Sequence, residues 1–370
     1  MTFLFYLKNR LKSFDWALLI LIFLLILLGL VIQYSLSLGL EPDSFAVFEK
    51  QFIFVILGFL AFFVFGLIDF RILKPLVPFL YAMIFLLMSL LFIVGKTMHG
   101  VKGWYSLGFG YFQPVEAAKI ILIIIFAKIW AGKVKELAEM KRFVWSAIFL
   151  FPLVVLAFFQ PDLGAVLIFI LIWFFMTALN IKKIKYFLFI LIFFVLAASF
   201  LWGFALKDYQ RSRVINFFSP SQDPLGRGYQ IAQAKIAVGA GQLFGRGIGH
   251  GSQGQMRFLP VSRNDFVFAV VSEEMGFVGS SVMIILFTLI FVRLIKKSRT
   301  IYDNFGSFLV AGFGFNLFIH VIINIGMNVG LLPIVGISLP LISYGGSSML
   351  MTMISLGIVE SVIIHQRVSI

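Results

Sequence analysis

The chain has 370 residues, 61% of them hydrophobic and 12% charged, where soluble domains carry about 25% charged residues, and its mean hydropathy is +1.05. That balance excludes a water-soluble globular domain. With no cysteine and four scattered histidines (His99, His250, His320 and His365), the sequence also excludes disulfides, thiolate metal sites, a cysteine nucleophile and a His-rich metal cluster, while the formal net charge is +14.

Lys8, Arg10 and Lys12 precede an uncharged run from Trp16 to Leu40. The run is too long for a signal peptide and lacks a small-residue cleavage site, so it reads as a retained first span with its basic end in the cytoplasm. A bilayer crossing needs about 20 apolar residues. The first ones predicted are 16–38, 50–69 and 75–95. A less clean span over 113–131 carries Glu116, Lys119 and Lys128, and clean ones follow at 143–160, 162–181 and 185–206. The next, 266–293, carries Glu273 and Glu274. No Asp, Glu, Lys or Arg occurs between Phe305 and Val359, which fits two helices, 305–327 and 344–364, separated by a Gly-, Pro- and Ser-rich stretch. The expectation is an all-α integral membrane protein, a bundle of about ten helices forming one domain over 1–370.

The positive-inside rule orients it. Arg71 and Lys74, then Lys133, Lys135, Lys141 and Arg142, then Lys182, Lys183 and Lys185, then Arg293, Lys296, Lys297 and Arg299 fall in alternate short loops. These share the N-terminal side, and an even number of spans returns the C-terminus there. Segment 207–265 then lies outside the cell, yet it carries Lys207, Arg211, Arg213, Arg227, Lys235, Arg246, Arg257 and Arg263 against Asp208, Asp223 and Asp265. Either a long loop simply escapes the rule, or its charge meets an anionic group such as phosphate or pyrophosphate. Within it, 229–243 is apolar but too short to span, which predicts an interfacial or re-entrant helix.

Polar residues gather at the outer ends of the spans: Trp104, Glu116 and Lys119 near the fourth, Gln160, Pro161 and Asp162 between the fifth and sixth, and the stretch Asn324 to Ser348 between the last two. With the basic loop they can converge on one outward-facing cavity. Each has two readings. Glu116 and Lys119, three apart, form either a structural ion pair or a substrate contact. Asp162 is a helix-start residue or a cavity carboxylate. Asp265 is an N-cap for the span that follows, or a carboxylate suited to take a proton from a hydroxyl. Glu273 and Glu274 lie deeper and suit buried pairing. No P-loop, G-x-S-x-G or H-E-x-x-H motif is present, leaving nucleotide hydrolysis, serine hydrolase and zincin chemistry without support.

Five ordered segments, FQPVEAAK (112–119), QPDLG (160–164), DPLGRGYQIAQAKIAVGAGQLFGRG (223–247), FLPVSRNDFVFAVVSEEMGF (258–277) and NVGLLPIVGISLPLISYGGSS (328–348), resemble the SEDS family of shape, elongation, division and sporulation proteins. GSQGQMRFLP (251–260) is more similar to its elongation branch than to its division branch. The resemblance implies a ten-span peptidoglycan glycosyltransferase that polymerises lipid II on the outer face of the bacterial cytoplasmic membrane. It also implies a class B penicillin-binding protein as partner within an elongation complex, and no nucleic acid. The family's essential aspartate maps onto Asp265, and its polar cavity onto Trp104, Glu116, Lys119, Asp162 and Lys235. Arg213 and Ser343 are further candidates for substrate contact.

The chain departs from the family pattern at Gly103, where Arg is frequent, at Val261 to Asn264, where E-x-H-T is frequent, and at Ala165 and Val335, where Thr is usual. The support around Asp265 should therefore differ. In inverting transfer a base takes the proton of the incoming hydroxyl, while cationic side chains, and with them a divalent metal such as Mg or Mn, clamp the departing pyrophosphate. No organic cofactor is expected. A flippase for a lipid-linked precursor and a non-catalytic scaffold for the penicillin-binding protein remain as alternatives.

Overall fold

The computed structural model describes residues 13–39, 44–98, 100–108, 110–132, 137–180, 227–256, 258–259 and 261–368. The expected span 185–206 and Arg213 lie outside the described residues. Helix α1 (Trp16–Ser37) starts at Asp15, whose carboxylate accepts the Leu18 N–H at 3.2 Å. Helix α2 (Ser44–Leu67) leads through a 3-10 turn to α3 (Leu73–Val94). A small antiparallel sheet follows, β1 (Lys96–Met98), β2 (Val101–Ser106) and β3 (Tyr111–Phe112), in that order. Helix α4 (Pro114–Trp130) opens with proline, whose missing N–H costs nothing at a helix start. Its run from Ala118 to Ala127 is buried on every side, so it forms the axis of the bundle, packed by α3, α5 (Leu137–Phe159), α6 (Leu163–Ala178) and α10 (Asn304–Asn328). Helix α7 (Arg227–Ala240) and the short α8 (Ser252–Gln255) precede α9 (Val267–Thr300), and α11 (Gly346–Val368) lies along α2.

Seven helices among the described residues are long and apolar enough to cross a membrane, and α6 is a shorter apolar one. Together with α4, which holds the Glu116–Lys119 pair, they fit a bundle of about ten spans. The outer surface agrees: Phe79, Leu86 and Ile93, seven apart on α3, are 66%, 61% and 79% exposed. Water would penalise such a stripe, whereas lipid solvates it.

Helix ends differ from the apolar runs that announced them. Helix α2 begins at Ser44 and includes Glu49 and Lys50, while α9 runs on through Arg293, Lys296, Lys297 and Arg299, basic residues that favour a helix C-terminus. The sheet was not anticipated, because its strands are short and lack alternation.

Helix α9 is broken at Gly276 (φ 66°, ψ −163°), where a continuous span was expected. A break inside a bundle leaves backbone groups that need partners. The loop after α7 supplies them. Phe277 and Val278 N–H groups donate to Gln242 and Leu243 carbonyls at 2.8 and 3.1 Å, and Arg246 and Gly247 N–H groups donate to Glu273 and Glu274 carbonyls at 2.9 and 3.0 Å. The approach requires glycine: a Cβ on Gly241 would stand 1.7 Å from the Ser272 carbonyl oxygen.

Ion pairing gathers at the other end of α9. Arg293 Nε donates to both Asp15 oxygens at 2.9 Å, Lys297 lies 3.9 Å away, and the Asp15 N–H donates to Glu360 of α11 at 2.6 Å. Burial works against the Asp15 charge, but the Arg293 and Leu18 hydrogen bonds and the nearby cations hold its carboxyl below the usual range.

Candidate functional site

A cavity of about 600 Å³ lies where the sheet, the starts of α4, α6 and α9 and the irregular stretch before α11 meet. Glu116 and Lys119, three apart on one face of α4, pair at 2.8 Å and are both largely buried. Lys119 Nζ also lies 2.9 Å from Nε2 of His320 on α10. Asp162 caps α6, accepting the Ala165 N–H at 2.9 Å, and its second oxygen takes Gln113 Nε2 at 3.4 Å. It is thus both the helix-start residue and a cavity residue. Lys102 N–H donates to the Gln160 carbonyl at 3.3 Å, which ties the sheet carrying Trp104 to the turn carrying Asp162.

Asp265 stands just before α9, whose N-cap position is Phe266, one residue later. Its backbone carbonyl receives the side-chain amides of Asn324 and Asn328, both at 2.9 Å. Asn324 also donates to the Ile337 carbonyl at 2.8 Å, and the Asn328 side-chain oxygen accepts the Ala269 N–H at 3.1 Å. Both amides are fully buried. The carboxylate faces Gly336, where a Cβ would lie 3.6 Å from Oδ2; Gly336 has φ +73°, a conformation that favours glycine.

Trp104, Glu116, Lys119, Asp162 and Asp265 therefore line one cavity. The other candidates sit elsewhere. Ser343 lies behind the wall, donating to the Asn264 carbonyl at 2.6 Å and accepting the Leu339 N–H at 2.8 Å. The Lys235 side chain lies across Gly330, beyond the C-terminus of α10, outside the lining. Arg263 donates to the Leu36 carbonyl at 3.0 Å, and Arg246 lies 3.7 Å from buried Glu273. Arg246 and Arg263 thus hold structure together, and neither they nor Lys235 line the cavity. Glu274, likewise buried, accepts from Ser35 at 2.6 Å.

Among the described residues the cations of the lining are Lys119 and Lys50, the latter exposed near the start of α2. Lys50, Gln113 and His320 were missed from the sequence. Asn324 and Asn328, assigned there to an outer turn, belong to α10. A usable signal existed: Asn316, His320, Asn324 and Asn328 recur every fourth residue in a span without charges. For a divalent metal, the described residues contain no group of three or more His, Asp or Glu that could hold it.

Comparison with known proteins places these features. The family model for FtsW, RodA and SpoVE, described as cell cycle protein, matches residues 15–368. Peptidoglycan glycosyltransferase MrdB of Escherichia coli is 36% identical over 348 residues, covering 93% of each chain. A chain from a peptidoglycan synthase complex, solved to explain how polymerization and crosslinking are coordinated, superposes with a TM-score of 0.79 at 31% identity, over 95% of this chain and 98% of that one. An aspartate-to-alanine mutant of the rod shape determining protein RodA from Thermus thermophilus gives a TM-score of 0.69 at 27% identity, over 95% and 98% of the two chains.

Proposed function

The chain belongs to the cell cycle protein family of FtsW, RodA and SpoVE, and from that premise we propose that it is a peptidoglycan glycosyltransferase that polymerises lipid II during cell elongation. The observation that carries the reading is Asp265, a carboxylate on the wall of the cavity whose own carbonyl is pinned by two buried amides. In this reaction the hydroxyl of one lipid-linked sugar attacks the anomeric carbon of another. The new glycosidic bond forms, the bond to undecaprenyl pyrophosphate breaks, and a single displacement inverts the carbon. Asp265 takes the hydroxyl proton, a role that typically contributes about 10²–10⁴-fold. The pyrophosphate leaves without protonation because cations neutralise it, and Lys119 and Lys50 are placed for that. Trp104 and Asp162 supply further walls for the sugars.

A divalent cation has no protein cage among the described residues. Magnesium or manganese would then be held chiefly by phosphate oxygens of the substrate, would there offset pyrophosphate charge, and would leave the base role to Asp265. We place the cavity on the outer face of the bacterial cytoplasmic membrane with both termini in the cytoplasm, because the short basic loops sit at the other ends of the spans. The likeness to a chain of a synthase complex that couples polymerization with crosslinking supports a class B penicillin-binding protein as partner, within an elongation complex.

The test is a gel assay of glycan strands made from lipid II by the purified protein, alone and with its partner. Wild type should form strands, and Asp265→Ala should lose at least about 10²-fold in rate. Full polymerisation by the variant would sink the base assignment. Lipid II that crosses a liposome bilayer without being polymerised would point to a flippase instead.

A further inference from the structure

Asn316, His320, Asn324 and Asn328 stand four apart and so share one face of α10. The last two are accounted for by the Asp265 carbonyl; His320 is not. It is buried in a span without charged residues, yet it lines the cavity. Its Nδ1 lies 2.7 Å from the Asn316 carbonyl oxygen, a contact that requires a hydrogen on Nδ1 and leaves the lone pair on Nε2. That lone pair meets the Lys119 ammonium at 2.9 Å.

An ammonium has three N–H donors. One of Lys119's goes to Glu116, a neighbour on its own helix, and on that contact alone the side chain could swing about the carboxylate. We infer that His320 is a positioning residue, which accepts a second N–H from the neighbouring helix and so fixes the Lys119 ammonium with its third N–H presented to an anionic oxygen in the cavity. The inference rests on the reading of Lys119 as a contact to the pyrophosphate of lipid II. His320 touches no substrate; it acts through Lys119. The backbone carbonyl of Asn316, one turn earlier, supports it in turn by holding the imidazole in the accepting form.

The test measures initial rates of strand formation over a range of lipid II concentrations, with full-length protein and a melting curve for each variant. His320→Leu, which keeps the bulk but removes the acceptor, should lower kcat/KM by about tenfold. His320→Gln, whose side-chain oxygen accepts the same N–H, should recover to within about threefold of wild type. In the Lys119→Ala background, His320→Leu should cost nothing more, since its effect passes through the missing ammonium. A double variant worse than Lys119→Ala by the full His320→Leu factor, wild-type rates from His320→Leu, or a folded His320→Gln as poor as His320→Leu would each overturn the inference. If Lys119→Ala itself polymerises at the wild-type rate, the pyrophosphate reading of Lys119 fails first. Impairment of Lys119→Ala together with any of the three overturning results removes only the role of His320.

Discussion

Asn324→Leu separates what holds the bundle together from what aims its carboxylate. The substitution removes two donors, those to the carbonyls of Asp265 and Ile337, and replaces them with a side chain of similar size. Hydrogen bonds between membrane helices average about 0.6 kcal/mol and reach about 1.7, so two of them bound the stability loss at roughly 1 to 3 kcal/mol. Asn328 still donates to the Asp265 carbonyl, so the fold should persist and the carbonyl should shift instead of coming free. A misplacement of about 1 Å in a reacting group costs on the order of 10²-fold. The expected result is a modest fall in melting temperature with a loss of roughly 10- to 100-fold in kcat. Strand formation from labelled lipid II, normalised to folded protein from a thermal-shift series, measures both. Activity that falls only in proportion to the folded fraction, or that does not fall, would refute the claim that this amide aims Asp265.

Three further outcomes are expected. Gly241→Ala drives a methyl into the Ser272 carbonyl and should abolish monodisperse protein on gel filtration; a native elution profile would contradict the close approach. Asp15 has a lowered pKa in the folded state, so its charge stabilises the protein above the unfolded carboxyl value and ceases to do so as pH falls through the folded one. The wild-type melting temperature should therefore drop more steeply below about pH 4 than that of Asp15→Asn, and parallel curves would argue against the Arg293 pairing. Because the chain has no cysteine, single replacements report sidedness cleanly: Leu107→Cys, exposed beside the sheet, should react with an impermeant maleimide on intact cells, and Tyr302→Cys, exposed after α9, should not. The reverse pattern would invert the proposed topology.

The spans were legible because a bilayer demands long apolar runs and the chain supplies them. Their ends were not, since residues such as Glu49, Lys50 and Arg293 to Arg299 end an apolar run without ending a helix. Trp104, Glu116, Lys119, Asp162 and Asp265 could be gathered in advance because polar groups at span ends on one side must meet if the spans form a bundle. The loop's positive charge misled in part. Charge says that a cation is present and not where its long side chain points: Arg246 and Arg263 turn to a buried glutamate and a helix-end carbonyl, while Lys50, placed on a different element, reaches the cavity. Ser343 shows the same limit for hydroxyls, which serve backbone groups as readily as ligands. The asparagines and histidine of α10 carried no charge to draw attention, although their spacing of four was on view.

The glycine loop that completes the broken α9 also constrains how the sequence can change. Surface loops usually accept insertions at little cost. Residues 242 to 247 cannot, because four backbone bonds to residues 273 to 278 fix their count and register. A single residue added or deleted among them would throw one pair of these bonds out of register with the other. Length variation among descendants of this sequence should therefore collect elsewhere, leaving residues 242 to 247 as a ruler of nearly invariant length.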